Sequence, residues 1–226
     1  MQKCLLCQQP LRFKLTLPWL LSWQTWPHPV VCPTCWQTFE RITPATACIS
    51  CGRQLTRRQM CSDCQRWPSQ PRFYNQALFC YNAAMHDYFQ RYKFQGDYRL
   101  RAVFAAAMQQ RLATLAADCV VAIPVTPATM QYRGFNQVTG WLGTGLNDPV
   151  GLQTIAQTKA RPQSQKTRAE RLTTSQPFSL SSTFTVTNQR VVIVDDIYTT
   201  GRTIRHAADL LLESGAKSVI GLTLAR

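Results

Sequence analysis

The chain has 226 residues and carries 25 Lys and Arg against 11 Asp and Glu, a formal charge of +14. That length suits one medium α/β domain plus a small accessory domain. No basic stretch leads into an apolar run and a cleavage site, and no apolar stretch approaches the roughly 20 residues that span a bilayer. A targeting segment and a membrane span are therefore not expected, and the reading is cytoplasmic. The positive charge is shared along the chain and favours an anionic polymer as partner over a merely soluble basic surface.

Eight of the ten cysteines fall in CxxC pairs: Cys4 and Cys7, Cys32 and Cys35, Cys48 and Cys51, Cys61 and Cys64. In a reducing compartment this pattern points to metal rather than disulfides. Each pair forms a knuckle whose sulfurs can face one ion, and two knuckles close a four-thiolate structural zinc site. Pairing neighbours in sequence gives two Zn2+ ions. Interleaved pairing, or one ion with spare cysteines, stays open from spacing alone. Gly52 directly after a knuckle relieves the backbone there. Cys80 and Cys119 stand alone in apolar surroundings and read as buried structural thiols. So small a segment depends on metal for much of its folding free energy. Between the first two pairs lie Trp19, Trp23 and Trp26 and the most apolar early stretch, Leu15 to Trp23, which Pro18 interrupts. Arg53, Arg57, Arg58 and Arg66 flank the second pair of knuckles, as a nucleic-acid or protein contact or as a solvated loop. Pro68 to Pro71 punctuates the chain, so the expected domains are 1–70 and 71–226.

From Phe73 the sequence mixes aromatics and bases. Met85 to Phe94 and Arg99 to Leu115 read as helices broken at Gln95 to Asp97. Their rings pack a core or, with bases such as Lys93, line a groove for single strands. Cys119 to Pro124 reads as a buried strand, so helix and strand alternate as a parallel sheet requires. Gln131 to Gln137 then places Arg133, Gly134, Asn136 and Gln137 after a strand end, a set suited to a pyrophosphate. Leu142 to Asp148 reads as a loop or helix end. Thr158 to Arg171 is basic and poor in apolar residues. Lys159, Arg161, Lys166, Arg168 and Arg171 there are candidate nucleic-acid contacts, unless the segment is a loop closing over a site or a solvated one.

The most informative run is Arg190 to Ile204, R-VVIVDD-IYTTGRT-I. Val191 to Val194 is a β-branched run typical of a parallel strand buried on both faces. Asp195 and Asp196 follow where such a strand leaves its sheet, the place where open α/β sheets bind ligands. Thr199, Thr200, Gly201, Arg202 and Thr203 then open a helix whose apolar positions include Ile204, Ala207, Ala208 and Leu211. Threonine hydroxyls and unpaired N–H groups at a helix start cradle a phosphate, and two carboxylates beside them suit a sugar diol or Mg2+. Gly215 is the expected helix stop, and Ser218 to Leu224 a closing strand.

This run resembles the phosphoribosyl pyrophosphate (PRPP) motif of type I phosphoribosyltransferases. By that resemblance Asp195 and Asp196 hold ribose hydroxyls, Thr199 to Thr203 hold the 5′-phosphate, and Mg2+ accompanies PRPP. At Thr199 purine-salvage members of the fold carry an aspartate taken as general base, so no local carboxylate here removes a proton from a base. With the CxxC knuckles, R-G-F-N-Q at 133–137 and the closing L-A-R, nearly the whole chain resembles the ComF/ComFC late-competence family, close to the GntX-type proteins. The resemblance implies an α/β fold, a parallel-sheet phosphoribosyltransferase-like domain preceded by a small cysteine-rich zinc ribbon domain. It also implies handling of single-stranded DNA in natural transformation, with the ComFA helicase and other competence proteins as partners. The alternatives are an active phosphoribosyltransferase on an unidentified acceptor, with pyrophosphate leaving from Arg133, and a PRPP-sensing scaffold.

Overall fold

The computed structural model describes residues 2–11, 21, 29–67, 73–143, 151–155 and 176–226. The three tryptophans at 19, 23 and 26, the Leu15 to Trp23 stretch apart from Leu21, the Pro68 to Pro71 boundary and the basic residues Lys159, Arg161, Lys166, Arg168 and Arg171 lie outside the described residues. The second knuckle of each cysteine group opens a helical turn, α1 (Pro33–Gln37) and α2 (Ser62–Gln65), with Cys32 and Cys61 as the respective N-caps. Proline at the first position of α1 suits a turn whose first N–H needs no helical partner.

Strand β1 (Phe73–Phe79) begins the sheet. It leads into α3 (Ala83–Phe89), capped by the Asn82 side chain on the Met85 amide at 3.0 Å, and a π-helical turn at Gln90–Phe94. After a short 3-10 turn comes α4 (Arg101–Ala113), then β2 (Cys119–Ala122), α5 (Pro127–Arg133) and α6 (Thr139–Leu142). An antiparallel pair, β3 (Leu152–Thr154) and β4 (Phe178–Leu180), precedes β5 (Arg190–Ile197), α7 (Arg202–Glu213) and β6 (Ser218–Ala225). The main sheet has the order β1-β6-β5-β2, and all three of its pairings are parallel.

The valine run of β5 is buried on both faces because alternate side chains enter different cores. Val192 and Val194 join Phe104, Met108 and Trp141 on one face. Val191 and Ile193 join Ile204, Ala207, Ala208 and Leu211 of α7 on the other. Each fully buried side chain of this size contributes about 1.5–3 kcal/mol, which fixes β5 at the centre and its carboxyl end at a defined height.

The two helices expected over 85–94 and 99–115 are present as α3 with its π turn and as α4, broken where Gln95 to Asp97 intervene. Tyr88, Phe89 and Tyr92 pack the core, whereas Tyr81, Phe94 and Tyr98 remain exposed. Three elements are ones to which the sequence reading assigned no structure. Phe73–Phe79 is a strand, its inward side alternating Phe73, Asn75, Ala77 and Phe79; the buried Asn75 hides that period. The residues before Gly134 form a helix, with Gly134 in the left-handed conformation (φ 81°) at its end. The β3–β4 pair joins segments far apart in sequence, which local pattern does not connect.

The cysteine-rich segment runs along the edge of β1. Ser50 and Glu40 carbonyls accept from the Asn75 and Cys80 amides at 2.8 Å each, and Leu78 accepts from Ile42 at 2.9 Å. Trp36 and Phe39 enter the aromatic core with Phe79 and Phe104. Arg91 on the π turn donates to the carbonyls of Leu5 and Leu6 at 2.7 and 3.0 Å.

Candidate functional site

Asp195 and Asp196 occupy the end of β5 and are both buried. The Asp195 carboxylate accepts from the Asp196 amide at 2.8 Å. Burial, reinforced by the adjacent Asp196 charge, pushes the Asp195 carboxyl up to about 8. Asp196 is held from two sides. Lys93 Nζ lies 2.5 Å from its Oδ2, and Gln137 Nε2 donates to the same oxygen at 2.6 Å. Lys93 reaches it from the π turn, passing 4.4 Å from the Phe89 ring centroid. A π turn shifts the helix face by one residue, a device common at functional sites.

Gln137 in turn accepts from the Arg133 guanidinium. The chain Arg133–Gln137–Asp196–Lys93 thus joins R-G-F-N-Q to the acidic pair, although 59 positions separate Gln137 from Asp196. Tyr92 Oη donates to the Gln137 carbonyl at 2.9 Å, and Asn136 ties the loop to the Ile123 carbonyl at 3.0 Å and the Val138 amide at 2.8 Å. Asn136 is therefore an internal brace. Arg133 Nε is buried without a hydrogen-bond partner, and burial lowers the guanidinium's proton affinity. A bound anion would satisfy both.

Beyond β5 the chain turns over Tyr198, and α7 starts at Arg202 with Gly201 as a left-handed N-cap, φ 78°. A β-carbon at Gly201 would overlap the Tyr198 ring, which is buried beneath the turn. Thr199 is exposed, Thr200 and Thr203 are half-buried, and Thr200 Oγ1 accepts from the Arg202 amide at 3.4 Å. The threonine loop and the start of the 12-residue α7 thus follow directly on the strand end that carries the acidic pair.

The cysteines form two separate groups, Cys4, Cys7, Cys32 and Cys35, and Cys48, Cys51, Cys61 and Cys64, with the sulfurs of each group within 4.8 Å of one another. Sequence neighbours are paired. Cys7 and Cys32 sulfurs lie 3.7 Å apart, as do those of Cys51 and Cys61. Four thiolates about 2.3 Å from a tetrahedral zinc ion stand ~3.8 Å from one another, whereas a disulfide needs ~2.05 Å. The donor set therefore fits Zn2+. Backbone amides of Cys32 and Cys61 donate to Cys4 and Cys48 sulfurs at 3.3 Å, which supports charged sulfur. In the second group hydrogen bonds from Cys51 and Cys64 pull Cys48 below the usual thiol range, and the same sharing pushes Cys51 and Cys64 up. A divalent cation would replace the shared protons. Gly52 is left-handed (φ 76°), and a β-carbon there would meet the Ala77 amide at 2.7 Å. Of the lone thiols, Cys119 is buried and Cys80 half-buried.

A family model described as "Phosphoribosyl transferase domain" matches residues 102–226. Over 226 residues the chain is 39% identical to Competence protein ComFC of Streptococcus pneumoniae, covering 99% of this chain and all of that one. This protein belongs to the ComFC family. A second relative, Competence protein ComFC of Bacillus subtilis, is 30% identical over 232 residues, covering 99% of this chain and 94% of its own. Both matches run through the two halves of the molecule, the parallel sheet with its acidic pair and the two four-cysteine groups. The phosphoribosyl transferase match starts inside α4, yet β1 completes the sheet of this chain by pairing with β6. Among the described residues no helix is long and apolar enough to cross a membrane.

Sequence reading quoted Arg226 within the closing L-A-R but gave it no role. It follows β6 and contacts Asp63, Cys51 and the Thr199 carbonyl. Lys93, a candidate for DNA by composition, is found at the acidic pair instead of on an open surface. Only folding brings the π turn to β5.

Proposed function

We propose that this ComFC-family protein serves DNA uptake in natural transformation, in the cytoplasm, by handling single-stranded DNA together with a ComFA-type helicase and other competence proteins. Its sheet-end pocket takes a PRPP-like ligand with Mg2+. Asp195 and Asp196 receive the ribose hydroxyls, Thr199 to Thr203 with Arg202 receive the 5′-phosphate, and Arg133 with Gly134 receives the pyrophosphate. The observation that carries the ligand reading is the linked set Arg133–Gln137–Asp196–Lys93 beside the α7 start. It gathers cations, amides and carboxylates in the proportions a sugar polyphosphate with a metal ion requires. Mg2+ bound with PRPP would neutralise phosphate charge, while the chain's own residues orient the ribose. The relatives' names and the +14 charge support the DNA role.

Calorimetry with Mg2+ and PRPP tests the pocket. The wild-type protein should bind, and Asp195→Asn with Asp196→Asn should weaken binding at least tenfold; equal affinity in the double variant would remove the pocket assignment. A transferase reading uses the same pocket and is favoured by Arg133 Nε, the buried donor awaiting an anion. Exposed Thr199 supplies no carboxylate to deprotonate an acceptor. Pyrophosphate release in an acceptor screen decides between turnover and binding alone.

A further inference from the structure

A groove of about 970 Å³ lies between the second cysteine group and the outer edge of β1. Neither the acidic pair nor the threonine loop lines it. Hydrogen bonds from Asn75 to Ser50 and from Ile42 to Leu78 hold its two walls together. Gly52 packs against Ala77 at its base, where a larger residue would push the ribbon off the strand.

The described lining contains four arginines and no Asp or Glu. Three of them, Arg41, Arg58 and Arg111, have no carboxylate partner among the described residues. Arg111 rests on the neutral Gln76 Oε1 at 2.8 and 2.5 Å, Arg58 on the Pro44 carbonyl at 3.3 Å, and Arg41 over the Trp36 and Phe79 rings at 5.6 and 5.3 Å. A guanidinium has five N–H donors, so even Arg111, which also reaches Thr114 Oγ1 at 3.4 Å, keeps two for a ligand. Between these cations stand apolar surfaces that folding leaves open: Tyr74 is 41% exposed, Ile49 47% and Met60 39%. Half-buried Trp67 also lines the groove, with the Arg205 guanidinium over its ring at 5.2 Å.

Cations without a carboxylate partner beside the exposed Tyr74 ring match the chemistry of a single strand, whose phosphates take the arginines and whose unpaired bases stack. An acidic peptide would satisfy the cations but leave the rings without a planar partner. We propose that this groove, and not the sheet-end pocket, is the seat of single-stranded DNA, with phosphates on Arg41, Arg58 and Arg111 and bases on Tyr74 and Trp67. The inference rests on the DNA-handling reading above and gives it a location.

The test is fluorescence anisotropy of a labelled oligothymidylate with the full-length, zinc-loaded protein across a salt series. Arg41→Gln with Arg58→Gln should lower affinity about tenfold, and the slope of log K against log salt should become shallower by about 1.4, two phosphate contacts at ~0.7 each. Tyr74→Ala, an exposed position, should lower affinity about fivefold or more at unchanged slope. Lys217→Gln, exposed and outside the groove lining, should match wild type. Zinc content and circular dichroism establish that each variant is folded. Wild-type binding with both groove variants unaffected would overturn the groove while the DNA reading stands. No wild-type binding at low salt would overturn that reading and the groove together. An acidic peptide that outcompetes the oligonucleotide, with Tyr74→Ala altering neither, would assign the groove to a protein partner and overturn the proposal.

Discussion

Arg226 donates through Nε to the Cys51 sulfur at 3.4 Å, and its other end, Nη1, donates to the Thr199 carbonyl at 2.9 Å. One guanidinium thus joins a metal-type sulfur to the first residue of the threonine loop. Its Nη2 also lies 3.4 Å from Asp63, and the whole group covers the Tyr198 ring at 5.2 Å. The second cysteine group and the loop therefore cannot shift independently without breaking charge-assisted hydrogen bonds, each contributing about 1.5–3 kcal/mol.

Removing metal from the second group should accordingly be felt at the loop. Cys51→Ser is expected to lower both thermal stability and affinity for Mg2+ with PRPP, whereas Cys7→Ser in the first group, exposed and distant in sequence from the loop, should affect zinc content with little change in PRPP affinity. Arg226→Gln should weaken PRPP binding several-fold while zinc stays bound. Elemental analysis beside calorimetry separates these outcomes, and equal effects from Cys7 and Cys51 would remove the coupling.

Two glycines in left-handed turns give a graded comparison. At Gly134 a β-carbon meets nothing within 4 Å, so Gly134→Ala incurs only the backbone strain of φ 81°, about 1 kcal/mol. At Gly201 the same change adds overlap with the buried Tyr198 ring, and overpacking costs a further ~1–3 kcal/mol. Thermal denaturation should rank Gly201→Ala well below Gly134→Ala, with PRPP binding lost in the former.

The buried Asp195 makes stability depend on pH. Its carboxyl is raised to about 8 in the fold, against about 3.9 in an unfolded chain. The native state thus holds the proton more tightly. That contribution is fully present below about 3.9 and is lost as pH rises to about 8, each unit corresponding to ~1.4 kcal/mol at most. Asp195→Asn, which mimics the protonated form, should raise the melting temperature at pH 8 by several degrees and change it little at pH 4. A melting-temperature difference that is flat across this range would refute the assignment.

Lys93 is committed to an ion pair at the end of β5. Its side chain is 12% exposed and its ion partner Asp196 13%. Truncating one member of a buried pair leaves the other uncompensated and costs up to about 3–5 kcal/mol; the residual exposure here and the Gln137 hydrogen bond bring the expected loss nearer 1–3 kcal/mol. Lys93→Met should lower stability and change PRPP affinity, yet leave oligonucleotide affinity within twofold. Titrations with both ligands on one preparation check this.

The acidic pair, the threonine loop, the central strand and the four CxxC knuckles were legible in sequence because each is a short contiguous pattern whose chemistry is local. A β-branched run, a carboxylate pair and a glycine at a helix start keep their meaning wherever the chain goes. The pairing of knuckles, the strand status of Phe73–Phe79, the union of Gln137 with Asp196 and the placement of Lys93 were decided by tertiary structure. Their partners lie tens of residues apart, and only the parallel sheet brings them within bonding distance. Arg226 illustrates the division: sequence shows an arginine after a strand, and the fold delivers its guanidinium to a cysteine 175 positions away. Hydrophobic period sets where a side chain points; which polar groups meet there depends on how the buried faces stack, and that is a property of the whole chain.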